Sequence, residues 1–101
     1  MKTGKVELLP SAQADIGQAL AYLLEKDAQA AIAFLDDVER AANQLRSFPE
    51  TAPIARDKRL AKEGYRVMLL QYSYLLFYRM HDETVYIYRV VDGKRNYGAF
   101  I

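Results

Sequence analysis

Residues 64–97, GYRVMLLQYSYLLFYRMHDETVYIYRVVDGKRNY, limit what this chain can fold into more than any other stretch. Three apolar, tyrosine-rich runs follow one another with only short polar breaks. Residues 65–71 and 74–80 are apolar on both alternating faces, as strands covered on two sides would be, and the first of them reads as a central strand. His81-Asp82-Glu83-Thr84 is a tight polar turn, and residues 85–91 complete a hairpin with the run before it. The last ten residues, 92–101, carry Gly93 and Gly98 and read as a further short strand.

The sequence ahead of this sheet supplies its cover. KVELL (5–9) is a short strand that Pro10 stops. Ser11 is placed to cap a helix with its hydroxyl, and Asp15 near that start suits the positive end of the helix dipole. Ile16, Leu20, Leu23 and Leu24 recur at helical spacing, which predicts a helix over 12–26. Asp27 is the next cap. Ala31, Phe34, Leu35, Val38, Ala42, Leu45 and Phe48 repeat the 3.6-residue period opposite Asp36, Asp37, Glu39 and Arg40, so a second helix spans 28–47 and ends before Pro49. A break of about two residues folds the helices into an antiparallel hairpin. FPETAPIARDKRLAK (48–62) reads as an irregular, basic crossing loop. The expected fold is a single α+β domain: an N-terminal strand, a two-helix hairpin, then a three- to four-stranded antiparallel sheet with the helices on one face.

With 101 residues, 51% of them hydrophobic, the chain can bury one core. No apolar run approaches the roughly 20 residues that span a bilayer, and the first residues lack a signal peptide's apolar segment. The absence of cysteine excludes a disulfide framework, a thiol nucleophile and a zinc-thiolate site. The expectation is a cytoplasmic protein that does not engage membranes. Residues 1–50 hold five Lys/Arg against eight Asp/Glu, and residues 51–101 hold nine against five. The basic second half suits an anionic partner or, more simply, a solvated face.

Metal, P-loop, dinucleotide and serine-hydrolase motifs are missing, and no metal or cofactor is expected. The single histidine, His81, reads as an exposed turn residue. Arginine and tyrosine remain. Arg66, Arg79 and Arg89 interrupt apolar strands, and each needs solvent, a carboxylate or a ligand phosphate. If the turn centres on Asp82-Glu83, position 79 faces 86 and Arg89 faces Leu76, on opposite sides of the sheet. A slip of one residue would bring Arg79 and Arg89 together. Either can equally be a structural arginine paired with a helix carboxylate such as Asp36 or Glu39. Lys94, Arg95 and Tyr97 form a denser group after the last long strand, suited to a phosphate and a stacked base, or to a basic solvated turn.

YLLFYRMHDETVYIYRVVDGKRNY, following two alanine-rich helices, resembles the RelE/ParE superfamily of bacterial toxin–antitoxin toxins. The opening strand ending at Pro10, the SAQADI helix start and the FPETAP link extend the resemblance over nearly the whole chain. It implies a small α+β toxin neutralised by a cognate antitoxin in a hetero-oligomer. RelE-like members cut messenger RNA in the ribosome, and ParE-like members poison DNA gyrase. RelE-like enzymes commonly place an arginine where this chain has Leu75, and many ParE-like and related members carry histidine where it has Asp92. Arg95, with Lys94 beside it, matches the family's basic residue, and Tyr97 matches a terminal tyrosine at shorter spacing. Lys58 or Lys62 corresponds to its loop lysines, and Arg59 lies between them as a further target-binding cation. A nuclease reading assigns catalysis to Arg95, Lys94, Tyr97 and Arg66, with Glu63 or Tyr97 as base. The departures favour the ParE-like branch, with the nuclease as the alternative. A diverged member that binds only its antitoxin is a third.

Overall fold

The computed structural model describes residues 4–94. Strand β1 (Lys5–Leu8) leads into helix α1 (Pro10–Lys26) and helix α2 (Ala28–Ser47). A short helix α3 (Lys58–Lys62) precedes β2 (Arg66–Leu69), and β3 (Tyr74–His81) and β4 (Thr84–Asp92) form the long hairpin. The sheet order is β1-β4-β3-β2. β1 pairs with β4 in parallel, and the other pairs are antiparallel. The N-terminal strand is therefore the fourth strand of the sheet. The short strand expected in 92–101 lies mostly outside the described residues.

Local chemistry explains the boundaries. α2 runs over the expected 28–47, with the Asp27 side chain accepting from the Gln29 amide at 3.0 Å. Asp27 alone separates the helices, one residue rather than two. α1 starts two residues early because Pro10 fits the first helical position, where no N–H is needed. Ser11 is thus inside the helix, not its cap. Its hydroxyl donates to the Tyr88 carbonyl at 2.7 Å and ties α1 to the edge of β4. Asp15 likewise sits beyond the first turn, and its role is an ion pair rather than a dipole contact.

The buried faces are narrower than periodicity suggests. Ala12, Ala19 and Leu23 of α1 and Ala31, Phe34, Val38, Ala41 and Leu45 of α2 pack on Leu76, Tyr78, Val85, Ile87 and Val90. Leu24, Leu35 and Phe48 are exposed instead, because alanines at the contact draw the helices close and leave the flanks of each stripe outside. Asp37, expected on a solvated face, is 8% exposed. Its carboxylate accepts from Arg40 Nε at 2.8 Å and from the Gln71 amide at 2.9 Å, which compensates its burial.

The opposite face of the sheet is covered too. The 48–62 segment is not wholly irregular: Asp57 accepts from the Arg59 and Leu60 amides and nucleates α3. Leu60 then buries completely with Ala55, Tyr65, Phe77 and Val91. This two-sided cover explains the apolar faces of β2, which is an edge strand and not the central one. Its outer edge is partly blocked by a bridge between Ile54 and Arg66. The hairpin turn uses Asp82 (φ 49°) and Glu83 (φ 65°) between paired His81 and Thr84, the left-handed geometry of a two-residue loop.

Candidate functional site

The hairpin register decides where the arginines go. Arg79 faces Tyr86 as the turn dictates, but a bulge between Phe77 and Tyr78 shifts the rest. Arg89 therefore stands opposite Phe77, not Leu76, and Tyr88 is the extra residue. Arg79 and Arg89 are kept apart. Arg89 reaches α1, where Nε donates to Asp15 Oδ2 at 2.6 Å and a terminal nitrogen donates to Oδ1 at 3.0 Å. Asp15 Oδ2 also accepts from the Val90 amide at 2.9 Å. The hydrogen bond to Asp15 raises the Arg89 pKa against the opposing effect of burial. The expected structural pairing with a helix carboxylate is present, with Asp15 in place of Asp36 or Glu39.

Arg66 is also engaged by the fold. One guanidinium nitrogen donates to the Ala52 carbonyl at 2.7 Å and approaches the Glu50 carbonyl at 3.5 Å, pinning the PETAP link to β2. Beside it, the Tyr78 hydroxyl donates to the Pro49 carbonyl at 2.7 Å, and burial raises the Tyr78 pKa. Arg66 faces Tyr78 and Asp92 faces Tyr74, so four residues, about 13 Å along β3, separate Arg66 from the strand end that leads to Lys94.

Lys94 is exposed, and its amide donates to Asp92 Oδ1 at 2.9 Å in an Asx turn. Arg95 and Tyr97, the other members of that group, lie outside the described residues. Lys58, Arg59 and Lys62 are exposed on α3, and Arg59 pairs with Glu63 at 3.4 Å. His81 is at the exposed hairpin tip, 3.3 Å from Asp82. Leu75 packs half-buried with the cluster around Phe77 and Leu60. No group of residues suited to holding a metal ion occurs among the described residues.

What sequence reasoning missed is the opening beside the end of β4. A cleft of about 350 Å³ lies between α1 and β4, lined by Asp15, Gln18, Tyr22, Tyr74, Arg89 and Asp92 among others. The connection leading into Tyr74, one of its lining residues, is strained. Tyr72 (φ 60°) and Ser73 (φ 64°) both adopt left-handed backbone without being glycine, at a cost on the order of 1 kcal/mol or more each. The Ser73 carbonyl accepts from the Gly93 amide at 2.8 Å, and Asp37 holds the Gln71 amide. Tyr22 in the cleft and Tyr72 in the connection are each about half exposed. Nothing in a one-dimensional pattern marks such a site, because its residues come from separate elements and its strain is conformational.

This geometry can be set beside known proteins. A family model described as the ParE toxin of type II toxin–antitoxin systems, parDE, matches residues 6–97. The chromosomal ParDE toxin–antitoxin system of P. aeruginosa supplies a structural relative with a TM-score of 0.73 and 13% identity, covering 89% of this chain and 96% of that one. The toxin–antitoxin complex RelBE2 of Mycobacterium tuberculosis supplies another, with a TM-score of 0.59 and 28% identity, covering 89% and 98%. No curated protein matches. The shared architecture, and above all a family match over nearly the whole chain, establish that this chain belongs to the ParE toxin family of type II toxin–antitoxin systems.

Proposed function

We propose that this toxin arrests growth by binding DNA gyrase and that a cognate antitoxin neutralises it in a hetero-oligomer. The observation that carries this reading is the engagement of the strand arginines. Arg66 holds the PETAP link and Arg89 holds Asp15. Arg79 lies against two tyrosine rings, and Leu75 is packed between strand and helix. Cleaving RNA needs a base for the 2′-hydroxyl and cations around the charged phosphorane. A surface that acts by binding needs neither. The strained Tyr72–Ser73 connection, the cleft beside it and exposed Tyr22 offer contact area of the kind that anchors protein partners. The basic Lys58, Arg59 and Lys62, and Lys94 at the strand end, favour an acidic partner. The antitoxin reading draws on the two structural relatives, both of which are named for toxin–antitoxin systems.

The test has two arms. Expression of the chain alone should stop growth, and co-expression of the small gene beside it should restore growth. In a translation reaction read by primer extension, messages should stay intact. Cuts at codon positions that vanish in an Arg95→Ala variant would overturn the gyrase reading in favour of a ribosome-dependent endoribonuclease.

A further inference from the structure

A second cleft, of about 520 Å³, opens at the other end of the hairpin, lined by Leu9, Glu63, Arg79, His81, Tyr86 and Tyr88 among others. Arg79 differs there from the other strand arginines. Its guanidinium carbon lies 4.8 Å from the centroids of both the Tyr65 and Tyr88 rings. One terminal nitrogen donates to the Glu63 carbonyl at 3.1 Å and the other to the Tyr88 hydroxyl at 2.9 Å. Both acceptors are neutral. The Glu63 carboxylate, which also lines the cleft, pairs with Arg59 at 3.4 Å. A guanidinium has five N–H donors, so three of Arg79 have no acceptor among the described residues. Because the Tyr88 oxygen accepts from Arg79, its own hydrogen is free to donate. The cleft thus brings together a half-buried cation and a hydroxyl donor, and its one lining carboxylate, Glu63, pairs with Arg59 and bonds neither of them; such a pair of donors recognises an anion. The tyrosine rings fix the guanidinium plane in advance, which lowers the entropy lost on binding.

We propose that this cleft binds a small amphipathic anion, its carboxylate or phosphate seated on Arg79 and Tyr88 and its apolar body against Tyr86 and Leu9. The volume is in the range that takes small ligands. The site is separate from the α1–β4 cleft and does not depend on the identity of the toxin's target.

Benzoate, phenyl phosphate and phenol are the probes, titrated into the isotope-labelled full chain and followed by nuclear magnetic resonance. At least one anion should shift the Arg79 Nε–Hε and Tyr88 signals saturably, and uncharged phenol should not. Which anion binds more tightly assigns the ligand's headgroup. Tyr88→Phe keeps the ring and should weaken binding by about three- to tenfold. Arg79→Gln should abolish it, and backbone spectra of both variants verify that they are folded. No saturable shift from either anion, equal binding of phenol, or unaltered binding in folded Tyr88→Phe and Arg79→Gln proteins overturns the proposal.

Discussion

Asp15→Ala should be among the most damaging single substitutions in this fold. The Asp15 carboxylate accepts three hydrogen bonds, two from Arg89 at 2.6 and 3.0 Å and one from the Val90 amide at 2.9 Å. The side chains are 10% and 24% exposed. Removing the carboxylate takes from a largely desolvated guanidinium its carboxylate partner and leaves a strand amide without its acceptor. Loss of one partner of a buried pair costs about 3–5 kcal/mol. The quarter exposure of Arg89 lets some water in and favours the lower end, about 3 kcal/mol. Against a total of roughly 5–15 kcal/mol for a domain of this size, that is a large fraction. With a urea slope near 1.5 kcal/mol/M, the midpoint should fall by about 2 M. Asp15→Asn can still accept from Val90 and should lose about half as much. Adding Arg89→Met to Asp15→Ala should recover stability to within about 1–2 kcal/mol of wild type, since the uncompensated charge is gone. Circular dichroism during urea titration measures the wild type, Asp15→Ala, Asp15→Asn, Arg89→Met and the double variant. A midpoint for Asp15→Ala within about 0.5 M of wild type, or a double variant as unstable as the sum of the singles, would refute the reasoning.

Other predictions come from equally local features. Burial raises the pKa of Tyr78 and Tyr65 above 10.0, so the folded state favours their neutral forms. The stability they supply is complete below pH 10 and is lost as pH climbs through the folded-state values. Chemical denaturation between pH 9 and 12 should show that decline, and Tyr78→Phe should make it shallower. A Cβ at Gly93 would lie 2.8 Å from the Ser73 carbonyl oxygen. Gly93→Ala should therefore destabilise by about 1–3 kcal/mol, read as a drop in melting temperature. Replacing Asp82-Glu83 with Asn-Gly places turn formers at two positive-φ positions and should stabilise by about 0.5–1 kcal/mol in the same assay.

The parts of the fold legible in the sequence are those governed by local chemistry. The 28–47 helix was readable because its cap, period and proline stop act within a few residues. The hairpin turn was readable because Asp82 and Glu83 break two apolar runs. Long-range choices were not. Nothing in KVELL says that β1 lies parallel to β4, and nothing in β2 distinguishes a short edge strand covered on both faces from a central one. The bulge at Tyr88 sets the position of Arg89, yet no turn or proline announces it. The burial of Asp37 runs against its charge, and only the distant Gln71 amide and nearby Arg40 explain it. Among the site residues, exposure of the α3 cations was foreseeable, whereas Arg66 looked available and instead holds the PETAP link.

The measurement closest to the central claim is the supercoiling of relaxed plasmid by purified DNA gyrase in the presence of increasing amounts of this protein. Dose-dependent loss of supercoiled product, relieved by the cognate antitoxin, is the expected result. Full supercoiling at all concentrations, from protein that still arrests growth in cells, would contradict it.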